Sequence, residues 1–367
     1  MHYSEDVGVS SSAHIAYCPQ GANTDGVITT AKITIRDIAT KAGVSTGAVS
    51  YALNDKPGVS AQTRARVREI ATSLGWSPNL AARSLSGSPV GAIGLVLARP
   101  ATLLGVEPFY MQFIAGVESV IANEGFTLML HVVADQACEI QAYEKWWSQT
   151  RVDGVLLVDL HDDDPRIEAV ERIGLPAVAV TSRREAGGLP VVWTDESAPV
   201  SEALRYLVAL GHTRIARVSG LRALACTTER DRAFEEAAAS CGIEPPRALY
   251  TDFSGEDGAR ATRLLMTESP RPTAIVYGND IMAVAGLSVA GELGLSVPND
   301  VSLLAWDDSV LCQITQPPLS VMKRDIPALG AMAARALLST VAGGSVPCQA
   351  GPSSRLLPRG STGVAAD

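Results

Sequence analysis

Basic side chains near the N-terminus of this 367-residue chain are of the type that binds phosphate. Residues 32–87 carry eight basic and three acidic side chains, a net charge of +5, whereas the whole chain carries −9. The remainder is therefore strongly acidic. A basic segment on an acidic chain is typical of a protein that binds nucleic acid with one end only. The eight basic residues are Lys32, Arg36, Lys41, Lys56, Arg64, Arg66, Arg68 and Arg83.

Residues that could support catalysis or bind a metal lack the spacing that such sites need. The cluster His161-Asp162-Asp163-Asp164-Pro165 could suggest a metal site, but no second histidine is placed to complete it. We interpret it as a solvated loop after a strand. Neither a GxxxxGK[ST] phosphate loop nor a G-x-S-x-G elbow is present. Cysteines at positions 18, 138, 226, 241, 312 and 348 lack metal-ligand spacing. We predict no enzyme, no metal and no cofactor.

Start and stop signals predict three short helices in residues 32–76. Thr34 and Asp37 have capping-box spacing for the first helix. Gly43 provides a turn, and Ser45 can cap the second helix. The breaker NDKPG follows, and Ser60 can cap a third helix. The apolar stripe of this third helix is Val67, Ile70, Ala71 and Leu74. The pattern indicates a helix-turn-helix with one further helix.

The turn Ala42-Gly43-Val44-Ser45 and its surroundings resemble the DNA-binding head of the lactose-repressor (LacI/GalR) family of bacterial transcription regulators. The resemblance continues through the chain to about Ser361. Further matching residues in the head are Val49-Ser50, Leu53-Asn54, Val59-Ser60, Thr63-Arg64, Pro78-Asn79, Ala81, Ala82 and Leu85.

This resemblance implies a DNA-binding role for ten positions. Thr46, Gly47 and Tyr51 occupy the family's base-reading positions in the major groove. The chain departs from better-known members here, because Gly47 has no side chain and Tyr51 stands where many members have arginine. The family's operator sequence therefore does not transfer. Phosphate contacts are implied for Thr34, Ser45, Ser50 and Asn54. Residues 77–86 resemble a hinge helix that enters the minor groove, with contacts from Asn79, Ala82 and Leu85, of which Leu85 would wedge between bases.

From Val90 onward, buried apolar runs alternate with amphipathic helices, which indicates parallel β-sheets. Strands are predicted at 92–97, 127–132, 154–158, 177–180, 215–218, 274–277, 302–305 and near 354–358. We expect an α/β fold of two doubly wound lobes that resembles a periplasmic sugar-binding protein. The first lobe is predicted at about 90–193 plus 323–345, and the second at about 194–322 plus 350–361. A disordered extension at 1–31, the head at 32–76, a hinge and linker at 77–89 and a tail at 362–367 complete the domain plan.

The same resemblance places effector-binding residues in the cleft between the lobes. Arg230 matches the family's cleft arginine, and Asn279 and Asp307 follow buried strands whose ends point into the cleft in relatives. Arginine and aspartate suit sugar hydroxyls, since charged groups make the stronger hydrogen bonds. Internal ion pairs stay open as alternative roles for Arg230 and Asp307, core packing for Trp193 and Phe253, and a helix cap is favoured for Asp280. The remaining candidates are Phe109, Thr181, Trp193, Phe253 and Arg324.

We therefore predict a cytoplasmic transcription regulator, most consistent with a repressor that binds a pseudo-palindromic operator as a homodimer. A small effector, best matched by a mono- or oligosaccharide, would control it from the cleft. A purine or a sugar phosphate stays open as an alternative effector, although a phosphate would need more cationic side chains than the sequence places in the cleft. No apolar run reaches the roughly 20 residues of a membrane span, and no signal-peptide core is found. The alternatives are a cytoplasmic sugar-binding protein and a transcriptional activator of the same fold.

Overall fold

The computed structural model describes residues 33–76 and 89–366. They belong to two compact units, an N-terminal head and a larger body, which are described separately below. Among the helices of these residues, none has the length and apolar character needed to cross a membrane.

The head consists of three helices, as predicted: α1 (Ile35–Ala42), α2 (Thr46–Leu53) and α3 (Ala61–Ser73). The backbone N–H of Thr34 donates to the Asp37 carboxylate at 2.8 Å, which forms part of the predicted capping box. The Thr34 hydroxyl, which donates to the same carboxylate, and the Thr34 N–H together lower the pKa of Asp37. Gly43 ends α1 with φ of 63°, in the left-handed region that favours glycine. The side chains of Ser45 and Ser60 cap α2 and α3, also as predicted. The head core comprises Ile38, Ala39, Ala42, Val49, Ala52, Val67 and Ala71.

The body contains two six-stranded sheets covered by helices, which confirms the predicted α/β class. The strands of the first sheet are β1 (Ala92–Ala98), β2 (Thr127–Val133), β3 (Gly154–Leu157), β4 (Ala177–Thr181), β5 (Val191–Trp193) and β11 (Gln349–Ala350). Their order in the sheet is β11-β5-β4-β3-β1-β2, and the observed ladders are parallel. Helices associated with this lobe are α4 (Ala101–Leu104), α5 (Pro108–Ile121), α6 (Gln136–Ser148), α7 (Pro165–Ile173) and α13 (Ile326–Val341), with a 3-10 turn at Ala122–Glu124.

The strands of the second sheet are β6 (Ile215–Ser219), β7 (Arg247–Tyr250), β8 (Ala274–Tyr277), β9 (Ser302–Trp306), β10 (Ser320–Lys323) and β12 (Arg355–Leu357). Their order in the sheet is β12-β10-β9-β8-β6-β7, in which only the β10–β12 pair of the described ladders is antiparallel. Its helices are α8 (Ser197–Ala209), α9 (Ala225–Cys241), α10 (Gly255–Met266), α11 (Asp280–Glu292) and α12 (Val310–Ile314).

The chain crosses between the lobes more than once. Helix α13 returns to the first lobe, where it packs on α5, and β12 returns to the second sheet. Lys323, expected in the first lobe, lies in β10 of the second sheet, and Ala350, expected in the second lobe, pairs with Trp193 in the first. The expected tail is also tied to the second lobe, since the Ala365 N–H donates to the Leu210 carbonyl.

Four short strands were not predicted, namely Val191–Trp193, Arg247–Tyr250, Ser320–Lys323 and Gln349–Ala350. Val191–Trp193 and Gln349–Ala350 have only three and two residues, and the other two strands include polar side chains among their four residues, so none contains an apolar run that stands out. Strand β7 also lies at a sheet edge and is partly exposed, so it needs little apolar character.

Two glycines set the close approach of α5 and α13. A Cβ at Gly116 would overlap the Pro327 carbonyl, and a Cβ at Gly330 would overlap the Phe113 carbonyl. Each overlap is with backbone, which cannot rotate away. These glycines therefore allow α13 to lie against α5 and bury the core of the first lobe between the helices and the sheet.

We expect Gly116→Ala to destabilise the body by about 1–3 kcal/mol, since overpacking must separate the two helices. Gly291→Ala is the matched control: Gly291 also lies in a helix, but nothing is within 4 Å of an added Cβ. This control should stabilise by about 0.5–1 kcal/mol through helix propensity. Urea unfolding of both variants would measure the difference, and equal effects would contradict the close-approach explanation.

Candidate effector cleft and recognition helix

The exposed side of α2 carries the residues expected to read bases. Thr46, Gly47 and Tyr51 are exposed, whereas Val49 and Ala52 on the opposite side are fully buried. The Tyr51 ring lies beside Gly58, and 46% of the surface of Tyr51 is exposed. This helix thus presents a short, partly aromatic exposed surface.

The residues predicted to contact phosphates lie in the first two helices or at their ends. Thr34, Ser45 and Asn54 are exposed and Ser50 is half-buried. The side-chain amide of Asn54 donates to the Ser50 carbonyl at 3.0 Å, so it also closes the end of α2. Asn79, Ala82 and Leu85 lie outside the described residues.

In the body, a cavity of about 90 Å³ lies between the two lobes. Seven of the eight predicted effector residues line it: Phe109, Thr181, Arg230, Phe253, Asn279, Asp307 and Arg324. Strand ends explain this convergence, because Thr181 ends β4, Asp307 follows β9 and Asn279 closely follows β8. In parallel sheets these carboxyl ends are where ligands bind.

Three arginine–carboxylate pairs surround the cavity. Arg230 Nε lies 2.6 Å from Glu196 Oε2, and Arg324 donates to both Asp307 oxygens at 2.6 and 2.9 Å. Arg99 pairs with Asp159 at 3.0 Å. The ion-pair alternatives left open for Arg230 and Asp307 are therefore correct, although both residues also line the cavity.

Each of these arginines also covers an aromatic ring. The guanidinium carbon lies 5.3 Å from the Phe253 centroid for Arg99, 4.5 Å from Trp306 for Arg230, and 5.0 Å from Phe109 for Arg324. The Arg99–Phe253 contact joins the two lobes, and the Arg324–Phe109 contact joins the crossover after β10 to the first lobe. Planar guanidinium groups held between a carboxylate and a ring have fixed orientations, which preorganises the cleft.

Backbone strain accompanies the cleft residues. Asp159, Phe253 and Asp307 have φ of 52°, 72° and 68°, values that non-glycine residues adopt rarely. All three line the cavity. Gly220 accommodates the Phe253 ring, because a Cβ there would overlap it. Strained residues concentrate at functional sites, so these angles support a binding role.

The helix cap favoured for Asp280 belongs instead to Asn279. The Asn279 side chain accepts from the Met282 N–H at 2.9 Å and donates to the Phe253 carbonyl at 3.0 Å. Asp280 is the first residue of α11, and burial raises its pKa. Asn279 thus orients Phe253 and α11 as well as lining the cleft.

Trp193 does not line the cavity. It lies at the end of β5, partly packed on the core of the first lobe, with the Arg184 guanidinium 4.3 Å from its ring centroid. The core-packing alternative is therefore the better account of Trp193, since its apolar ring is covered on the lobe rather than facing the cavity. For Phe253 both descriptions hold, because it belongs to a core cluster and lines the cleft.

Several cleft residues were missed from the sequence: Arg99, Glu107, Tyr110, Asp159, Glu196 and Cys226. Arg99 and Asp159 stand just after β1 and near the end of β3, so the strand-end rule that found Thr181 could have found them. Cys226 was missed because α9 begins at Ala225, four residues earlier than expected. Glu107 precedes α5 in a loop, where no sequence signal marks it. Burial raises its pKa to about 7, the opposing effect of Arg99 being smaller.

The His161–Pro165 segment is not the fully solvated loop that was predicted. Asp164 is buried, caps α7 and pairs with Arg166 at 2.7 Å. Across residues 33–76 and 89–366, no group of three or more His, Cys, Asp or Glu side chains is arranged to hold a metal. This segment is therefore part of an ion-pair network beside the cleft.

Comparisons with known proteins agree with this architecture. Residues 34–79 match the family described as "Bacterial regulatory proteins, lacI family", and residues 204–362 match "Periplasmic binding protein-like domain". The HTH-type transcriptional regulator CelR of Thermobifida fusca is 30% identical over 321 residues, covering 84% of this chain and 92% of that protein.

Two solved structures are also similar. The lac repressor dimer bound to operator and the anti-inducer ONPF has a TM-score of 0.80 at 25% identity, covering 90% of this chain and 99% of that one. A CelR–cellobiose complex has a TM-score of 0.68 at 28% identity, with the same coverage of both chains.

Proposed function

Because the chain belongs to the LacI family of bacterial transcriptional regulators, we propose that it is a cytoplasmic repressor whose homodimer binds a pseudo-palindromic operator and responds to a sugar. The observation that carries this proposal is the interlobe cavity, which combines arginine–carboxylate pairs with the rings of Phe109 and Phe253. Such a lining suits a sugar, whose hydroxyls need charged partners and whose ring faces pack on aromatics.

The DNA-binding part of the proposal rests on α2. Thr46, Gly47 and Tyr51 would face base edges, while Thr34, Ser45, Ser50 and Asn54 would contact phosphates. Two copies related by a twofold axis would present two such helices to two half-sites. Asn79, Ala82 and Leu85 are proposed to act in the minor groove.

Contacts across the cleft link the two lobes, so an effector bound there can act on the arrangement of the lobes. The Ala225 N–H donates to the Leu160 carbonyl at 2.8 Å, and Arg183 of the first lobe lies 3.6 Å from Glu229 of the second. Residues of both lobes also line the cavity. An effector that prefers one arrangement of the lobes would shift the population toward it by its differential affinity.

The choice of sugar starts from the relative with a known ligand. CelR has been solved with cellobiose, so cellobiose and related glucosides are the first candidates for this chain. The test is capture of genomic DNA fragments by the purified protein at moderate salt, followed by sequencing. A short pseudo-palindrome whose binding is lost on adding one sugar is expected. Retention of DNA fragments that share no motif would contradict operator binding and would mean that the protein binds only the phosphate backbone.

Tyr51→Ala provides a residue-level test of the recognition helix. Affinity for the captured operator should fall about 10-fold to 100-fold, the usual value of one base contact, with affinity for a scrambled duplex unchanged. Thr72→Ala in α3 is the control, since the Thr72 hydroxyl bonds only the Arg68 carbonyl among described groups. Fluorescence anisotropy at one salt concentration would measure both duplexes. Equal losses on the two duplexes would mean that Tyr51 does not read sequence.

A further inference from the structure

Glu107 occupies an unusual position at the start of α5. It is the N-cap residue of this helix, yet its side chain makes no capping hydrogen bond. The carboxylate lines the interlobe cavity instead. Its Oε2 atom is buried and has no hydrogen-bond partner among the described residues. A buried carboxylate oxygen without a donor costs free energy, so a ligand that supplies the donor would recover it.

The cationic side chains that line the cavity are already paired with carboxylates. Arg99, Arg230 and Arg324 are the only cationic residues in its described lining, and each is paired with a carboxylate, from Asp159, Glu196 and Asp307 respectively. Glu107 is the fourth carboxylate of the lining and has no arginine bonded to it. With all groups ionised, the lining therefore carries one excess negative charge.

An anionic ligand would meet this excess charge without a free cation to offset it. The arginines could still donate a remaining N–H to a carboxylate or phosphate, but the charge of each is already balanced by its paired carboxylate, so an anionic ligand would add a further uncompensated negative charge to the buried cleft. A hydroxyl or ammonium group meets no such obstacle, because it can donate directly to Glu107 Oε2.

This inference rests on the proposed function, in which the effector is a sugar. We propose that Glu107 determines which class of sugar binds: the cleft accepts a sugar that donates a hydrogen bond to Glu107 and carries no negative charge. Neutral sugars and amino sugars share this chemistry. Sugar acids and sugar phosphates are rejected.

The groups around Glu107 are consistent with this role. Arg99 at the end of β1 favours its ionised form, whereas Asp159 after β3, Asp280 on α11 and Asp307 after β9 oppose it. Burial has the largest effect and, with these carboxylates, raises the pKa of Glu107 to about 7. Near neutral pH Glu107 of the empty cleft is therefore only partly ionised, and a hydrogen-bond donor from the ligand would stabilise its carboxylate form.

The direct test is isothermal titration of the full-length protein with matched probes. Glucose, galactose and cellobiose would be compared with glucosamine, galactosamine, glucuronate, galacturonate and glucose 6-phosphate. We expect binding by neutral or amine members only. Glu107→Gln should weaken the best binder about tenfold or more, as for loss of a charged hydrogen-bond acceptor. Glu124→Gln, at an exposed glutamate in the same lobe, should leave it unchanged. Equal or tighter binding of an acid or phosphate, or an unaffected Glu107→Gln variant, would overturn the proposal.

A second measurement does not depend on the ligand. The folded-state pKa of Glu107 lies above the ordinary value of 4.5, so its ionisation opposes folding. Wild-type stability should therefore fall relative to Glu107→Gln as pH rises from about 5 through 7, and level off above that. Glu124→Gln should follow wild type throughout. A constant difference between wild type and Glu107→Gln across this range would contradict a buried carboxylate. If no probe sugar binds, the sugar effector of the proposed function fails, and this pH comparison decides whether Glu107 keeps the cleft negative.

Discussion

Replacing Arg166 with methionine is expected to lower the free energy of unfolding of the body by about 3–5 kcal/mol, the cost of breaking a buried ion pair from one side. The Arg166 side chain is 2% exposed and contacts Glu139 at 2.5 Å and Asp164 at 2.7 Å. Its Nη2 also donates to the Asp159 carbonyl at 2.9 Å. Methionine fills similar volume but leaves two buried carboxylates without a cation.

Arg172→Met is the control for this variant because both arginines lie on α7. Arg172 pairs with Glu144 at 2.9 Å, but the two side chains are 56% and 46% exposed. An exposed pair contributes about 0–1 kcal/mol, so this control should change stability little. Urea unfolding would measure both. Burial already raises the pKa of Glu139, and removing Arg166 would raise it further, so the loss should be larger at pH 8 than at pH 5. Similar losses for both variants would mean that the network adds nothing to stability.

The network also positions the cleft. Arg166 holds the backbone at Asp159, whose carboxylate accepts hydrogen bonds from Arg99 and from Tyr110. Glu139, on α6, accepts from the Ala98 N–H just before Arg99. The residues first interpreted as a solvated acidic loop therefore support one of the three arginine–carboxylate pairs at the cavity.

The sequence predicted those elements whose signals are local. Capping residues Ser45 and Ser60, with Gly43 between the first helices, define the head without tertiary information. Apolar runs such as Ala274–Tyr277 define the buried strands because both faces of a parallel sheet are covered. The four strands that were not predicted carry no such run, whether at a sheet edge as β7 and β11 or inside a sheet as β5 and β10, and their pairing depends on partners distant in sequence.

The cleft could be predicted only where strand ends or the resemblance pointed to it. Asn279 and Asp307 follow strands, so the topology brings them together. Trp193 also ends a strand, but its ring packs on the lobe, because strand position alone does not fix on which face a side chain lies. Glu107 depends on the start of α5 being turned toward the other lobe, which is a tertiary property.

Arg230→Ala is expected to abolish the response to the effector while operator affinity stays within about twofold of wild type. Arg230 bonds Glu196 at 2.6 Å and the Gly278 carbonyl at 3.3 Å, and it covers the Trp306 ring. Removing it deletes a charged donor from the cleft and frees a buried carboxylate, so effector affinity should fall about 100-fold, which abolishes the response at sugar concentrations that just saturate the wild-type protein. Operator release measured by anisotropy at increasing sugar concentration would show the loss.

Arg232→Ala controls for a charge change on the same helix, because Arg232 is 56% exposed and pairs only with Glu229 and Glu236 among the described residues. It should respond to the effector as wild type does. The double variant Arg230→Gln, Glu196→Gln keeps hydrogen-bonding groups without a buried charge, so it should fold normally and still fail to respond. If operator affinity fell in both Arg230 variants, the arginine would hold the lobes in their DNA-binding arrangement and would not act through the effector. Loss of the response with operator binding intact would instead place Arg230 at the step that couples ligand to lobe movement.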